Sequence, residues 1–107
     1  MLSCPAKNTL PLETVRRLAP VASVVARRDP DLARQLRRAA SSIVLNVAEA
    51  QGARDGNGRA RFRTALGSTR ETRAALRLAV AWGYAPDDDA LLDALDRIAA
   101  TLHKLGR

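Results

Sequence analysis

Leu91, Leu95, Ile98, Leu102 and Leu105 recur at alternating intervals of four and three, an unbroken a/d heptad pattern that an α-helix turns into a single apolar face. Similar spacing marks three earlier segments. Val15, Leu18, Ala22 and Val25 make one stripe, Leu32, Leu36, Ala39, Ile43, Val47 and Ala50 a second, and Phe62, Leu66, Thr69, Leu76 and Ala79 a third. Four helices of this kind joined by short connections bury their stripes with least strain as an all-α, antiparallel up-down-up-down four-helix bundle. No run of alternating β-branched or aromatic residues offers a competing strand. Composition agrees, because a chain that is 47% hydrophobic but 3% aromatic must build its interior from Leu, Val, Ile and Ala. With 107 residues there is room for one domain.

Turn chemistry divides the chain. Residues 1–9 contain Pro5 and no periodicity and read as a flexible leader, so the bundle domain is expected over 10–107, with Pro11 in the first turn of helix one and Pro20 kinking it. Asp29 is a candidate N-cap for helix two, with Pro30 at its first position and Gly52 ending it after about Gln51. The run from Gly52 to Gly58 is polar, glycine-punctuated and flexible. Helix three is expected from about Arg59 to Trp82, stopped by Gly83, and Pro86 with Asp87, Asp88 and Asp89 is expected to start helix four. Gly67 falls inside helix three, where glycine costs about 1 kcal/mol against alanine, and this predicts close approach of another backbone.

The single cysteine, Cys4, excludes an intrachain disulfide and any zinc site built on several thiolates, which points to a reducing compartment. No stretch is apolar enough to span a membrane or to serve as a signal peptide, so the expected location is the cytoplasm. Charge is more informative. The formal net charge is +7, and sixteen of the eighteen cations are arginine. Residues 27–77 hold twelve arginines against five acids, a net of +7, whereas residues 78–107 hold three cations against five aspartates, a net of −2. Arginine's planar fork suits phosphate and carboxylate alike, so the excess fits RNA or another nucleic acid, and equally an acidic protein surface.

Catalytic chemistry finds little support. The one histidine, His103, sits where the last turn of helix four is expected, and interaction with the negative helix end accounts for it. Asp87, Asp88 and Asp89 are consecutive and cannot all face one ion, so capping explains them better than metal binding. Glu49 and Glu71 are the one pair of carboxylates suited to acid and base roles, but no phosphate-binding glycine loop or HExxH pattern accompanies them. The reading is therefore a non-enzymatic protein with no cofactor and no metal. Ser42, Asn46 and Glu49 form a polar line on helix two, and Ser68 and Glu71 a matching line on helix three; these predict a structural hydrogen-bond network neutralised by arginines such as Arg38, Arg70 or Arg73. The candidate nucleic-acid contacts are Arg34, Arg37, Arg54, Arg59, Arg61 and Arg63, on exposed helix faces or the glycine loop. Phe62 is expected in the core, and Trp82 and Tyr84 are expected to pack onto helix four, which leaves no platform for reading bases by stacking.

The run from Gln35 to Glu49, Gln-Leu-Arg-Arg-Ala-Ala-Ser-Ser-Ile-Val-Leu-Asn-Val-Ala-Glu, closely resembles the helix-two signature of the 23S rRNA intervening-sequence protein family of four-helix bundles. Arg61-Phe62 followed by Ala65-Leu66-Gly67-Ser68 and Glu71 is similar to its helix-three signature, and Gly83-Tyr84 resembles the turn that follows. The likeness covers residues 10–105. It departs at Ala50, where the family usually has glycine, which allows helix two another turn. The resemblance implies a homopentameric barrel. A related branch comprises accessory proteins of diversity-generating retroelements, which bind a reverse transcriptase and its RNA, so the resemblance also implies a ribonucleoprotein accessory with a reverse transcriptase as a partner. The competing expectation is a protein-interaction scaffold whose arginine-rich face meets an acidic protein.

Overall fold

The chain forms four helices in order, α1 (Ala6–Arg28), α2 (Pro30–Gly52), α3 (Asn57–Ala81) and α4 (Asp89–Leu105), and no strand among the described residues. The computed structural model describes the backbone of residues 6–53 and 57–107 and the side chains of residues 10–53 and 58–107. Cys4 and Arg54, two residues singled out above, lie outside the described residues, as do most of the leader and Asp55 and Gly56 of the glycine loop.

Each helix packs against its neighbours in chain order and α1 closes the circle against α4, so α1 and α3 lie on one diagonal of an antiparallel bundle and α2 and α4 on the other. The α2/α3 interface is the most extensive and the α1/α4 interface the slightest. The stripes read from the sequence meet at the centre: Leu18 and Val25 of α1, Leu36 and Ile43 of α2, Leu76 of α3, and Leu91, Leu95, Ile98 and Leu102 of α4 belong to one buried cluster. Alanines complete it, among them Ala22, Ala33, Ala40, Ala65 and Ala79, and their small side chains let the helix backbones approach closely. Three threonines also face inward. Thr14, Thr69 and Thr72 are buried, and each hydroxyl donates to the carbonyl four residues earlier, Leu10, Ala65 and Ser68 respectively, at 2.7–2.8 Å. No buried side-chain nitrogen or oxygen lacks a partner among the described residues.

The ends of the helices follow local chemistry. The Asp29 carboxylate accepts from the Leu32 amide at 3.0 Å, with Pro30 at the first helical position, as the sequence predicts. Gly83 adopts φ +80°, and the amides of Gly83 and Tyr84 reach back to the carbonyls of Val80 and Ala79, the paired bonds of a Schellman stop. At three other places the structure corrects the sequence reading. α1 begins at Ala6, a turn ahead of Pro11, so Pro11 lies inside the helix instead of in its first turn and leaves it one N–H bond short. Pro86 and Asp87 precede α4 instead of starting it; Asp88 is the N-cap, accepting from the Leu91 amide at 3.0 Å. Leu105 continues the heptad but is 47% exposed, because it lies at the open lip of the α1/α4 seam.

Gly67 is exposed on α3, and a Cβ built there meets nothing within 4 Å, so no backbone of its own chain approaches it. Its flexibility is uncompensated within the chain. Gly67→Ala is therefore expected to raise stability by about 0.5–1 kcal/mol, while Gly83→Ala, which forces a Cβ into the left-handed region, lowers it by about 1–2 kcal/mol. Urea titrations of the two variants, read as opposite shifts in midpoint at constant slope, check the pair.

Candidate nucleic-acid interface

Antiparallel packing brings the start of α3 beside the end of α4, and this juxtaposition gathers cations from both. Arg59, Arg61 and Arg63 rise from the first turns of α3; Lys104 and Arg107 come from the last turn of α4 and beyond it. Arg63 donates through Nε to the Gly106 carbonyl at 2.8 Å, and Arg59 reaches the Arg107 carbonyl at 3.4 Å. Both contacts go to the two residues that follow α4, and they bring positive charge close to the negative end of its dipole. Gly106 makes the approach possible, since a Cβ there would meet Arg63 Cγ at 3.0 Å.

The polar line on α2 fixes the register that sets this end of the bundle. Ser42 Oγ and Ser68 Oγ are 2.7 Å apart, and Asn46 Nδ2 donates to the Ser42 carbonyl at 2.9 Å and to its hydroxyl at 3.0 Å. Arg61 then donates to Asn46 Oδ1 at 3.4 Å and pairs with Glu49 at 3.0 Å. Four of the six residues assigned to the network, Ser42, Asn46, Glu49 and Ser68, are joined in this way. Arg38 and Glu71 stand outside it, exposed and with no hydrogen bond or ion pair among the described residues, and Arg61 takes the neutralising role expected of Arg38. The reason is axial: Glu49 lies level with the beginning of α3, about three turns from Arg38 along α2. The same separation takes Glu71 away from Glu49, so the two carboxylates do not form a catalytic pair.

The candidate arginines therefore divide into two groups. Arg59, Arg61 and Arg63 share the basic pole. Arg34 and Arg37 project from the exposed face of α2 near its other end, about 20 Å away along the helix. Arg34 pairs with Asp31 at 2.8 Å, whereas Arg37 has no partner among the described residues. Sequence reasoning missed Lys104 and Arg107 as members of the pole, because only the topology sets the end of α4 beside the beginning of α3.

Two other features are set by the fold. Trp82 does not pack onto α4: it is 63% exposed, with its ring stacked on Tyr84 at 6.3 Å and 14°, and the Arg28 guanidinium lies 5.4 Å from the Tyr84 centroid. Asp87, Asp88 and Asp89 follow closely while Arg28 lies over Tyr84, so this aromatic end carries charges of both signs. A groove of about 570 Å³ opens along the weaker α1/α4 seam, walled by Leu10, Phe62, Ile98, Leu102 and Leu105. Phe62 is accordingly half-buried at the groove and packs on the edge of the core. No group of three His, Cys, Asp or Glu side chains among the described residues is placed to hold a metal ion, and no helix is long and apolar enough to cross a membrane.

Fold and site together define a class: a small antiparallel four-helix bundle with a polar cross-link between α2 and α3 and a concentration of cations at one end. The chain belongs to the 23S rRNA-intervening sequence protein family, whose model matches residues 14–104. It is similar to a crystallised protein of unknown function from the S23 ribosomal protein family of Bacteroides thetaiotaomicron, with 18% identity and a TM-score of 0.83 over 95% of this chain and 99% of that one. At that identity the likeness concerns the fold. No curated protein sequence matches.

Proposed function

We propose that the protein is a non-enzymatic, homo-oligomeric bundle, a pentamer by family resemblance, that works in the cytoplasm as an RNA-binding accessory of a ribonucleoprotein, with a reverse transcriptase as a candidate partner. The observation that carries this reading is the convergence of Arg59, Arg61, Arg63, Lys104 and Arg107 on one pole. Glu49 is the acid that pairs there, through Arg61, and both members of that pair are about half exposed, so the guanidinium keeps donors free for phosphate. Copies arranged side by side with their poles aligned would present a ring of cations, and linked contacts of this kind raise avidity without any new contact type.

Binding of this sort reads shape and phosphate more than base identity, and each phosphate contact releases counterions. Filter binding of a structured RNA across a salt series is the test. Affinity is expected to fall by a factor on the order of 10³ or more between 50 and 200 mM salt if about six phosphates are engaged. Absence of binding at the lowest salt would overturn the proposal, and capture of an acidic protein with no RNA affinity would establish the competing scaffold in its place.

A further inference from the structure

The outward faces of α2 and α4 are complementary, and we infer that α2 of one copy docks lengthwise beside α4 of the next. The inference rests on the homo-oligomer proposed above and names the surface that would build it. On α2 the exposed positions Arg34, Arg38, Ser41, Leu45 and Ala48 recur at intervals of four and three, a second helical stripe that faces away from the core and is flanked by Arg37. Leu45 is 64% exposed at its middle. On α4 the outward positions are Asp89, Asp93, Asp96 and Ala100, followed by Lys104. One face is cationic with an apolar centre, and the other is acidic and then small.

The topology brings the two into register. α2 and α4 occupy opposite corners of the bundle and run in the same direction. Heights can be compared through α3, because Ser42 meets Ser68 while Arg73 meets Asp96 and Arg63 meets Gly106. Following those cross-links from α2 to α4 puts Arg34 level with Asp93, Arg37 with Asp96, Ser41 with Ala100 and Leu45 with Lys104. A copy translated sideways without tilting thus sets arginine against aspartate at the top of the contact. Lower down, Leu45 lies against the small Ala100 and the aliphatic stem of Lys104. Arg38 is level with Arg97, but Arg97 and Arg37 both border α1, whereas Arg38, one turn before Ser42, and Asp96 both lie towards α3, so Arg38 is the cation that meets Asp96. Arg38 and Asp93 have no side-chain partner within the described chain, and Asp96, which holds Arg73 at 2.8 Å, retains lone pairs for a second donor. The contact is heterologous, since each copy offers a different face to each neighbour. Repetition closes a ring when the rotation per copy closes, and it keeps every basic pole on the same rim.

Charge reversal tests the contact. Arg38→Glu and Asp93→Arg are exposed substitutions at positions without intrachain side-chain partners, and each is expected to reduce the mass measured by light scattering at micromolar concentration from the multi-copy value toward the 11.5 kDa of one chain. Leu45→Lys, which sets a cation level with Lys104, is expected to do the same. The double variant Arg34→Glu/Asp93→Arg restores a level pair in reversed sense and is expected to recover the multi-copy mass, with circular dichroism confirming helix in every case. Single variants that keep the wild-type mass, or a double variant that stays dissociated while helical, overturn this contact and leave the oligomer standing. A wild-type chain that is monomeric at the same concentration overturns the oligomer and the contact together, whereas RNA binding by the basic pole is read separately in the salt series.

Discussion

Leu95→Ala is expected to lower the stability of the bundle by about 2–5 kcal/mol, as befits a fully buried leucine at the centre of the core. Leu95 is 0% exposed and sits in the middle of the inner face of α4 within the cluster that includes Leu36, Ile43, Leu76 and Leu91. Removing three carbons leaves a void that neighbouring alanines cannot fill, because their backbones already approach closely and their side chains have no rotamers with which to adjust. A domain of this size has about 5–15 kcal/mol of stability in total, so the melting temperature should drop by on the order of 10 °C or more. Leu105→Ala removes the same atoms one heptad position beyond Ile98 and Leu102, but from the exposed lip of the groove, and should change stability by less than about 1 kcal/mol. Thermal unfolding of both variants at one protein concentration compares them directly, since oligomers melt in a concentration-dependent way. Equal losses would mean that α4 is not seated as described.

The second large effect concerns RNA. Arg59→Ala with Lys104→Ala deletes two cations of the basic pole in every copy, one from α3 and one from α4, without touching the Arg63 contact that secures the end of α4. Each lost phosphate contact should reduce the salt-dependence slope by about one, so the double variant loses about two per engaged copy and binds most weakly, relative to wild type, at low salt. Arg77→Ala, exposed on α3 towards its other end, is the matched control and should leave the slope unchanged. A salt series in which all three proteins share one slope would remove the pole from the RNA contact.

Much of the fold is legible in the sequence because it is written in angular position. The stripes of α2 and α4 turn inward as their spacing requires, and Asp29 and Gly83 act at the ends where their side-chain oxygen and φ freedom are needed. Axial position is not legible. A heptad shows which way Leu105 points but not that α1 packs too lightly against α4 to cover it, and Pro86 signals a helix start without fixing which following aspartate will cap it. The same distinction governs the site. Ser42, Asn46 and Glu49 share a face by spacing alone, yet Arg61, from the far side of the glycine loop, completes the network because the α2/α3 register brings it there. Residue type alone points Trp82 towards the core, but the indole is 63% exposed and stacks on Tyr84.

The proposed function rests on the same physical features. Cations gathered at a pole suit a surface that holds a polyanion. Native mass spectrometry of the protein mixed with a structured RNA at low ionic strength measures this most directly, because it reads subunit number and bound RNA in one spectrum. The expected result is RNA carried by an assembly of several copies, with little RNA on single chains. Monomers and free RNA at every mixing ratio would contradict it.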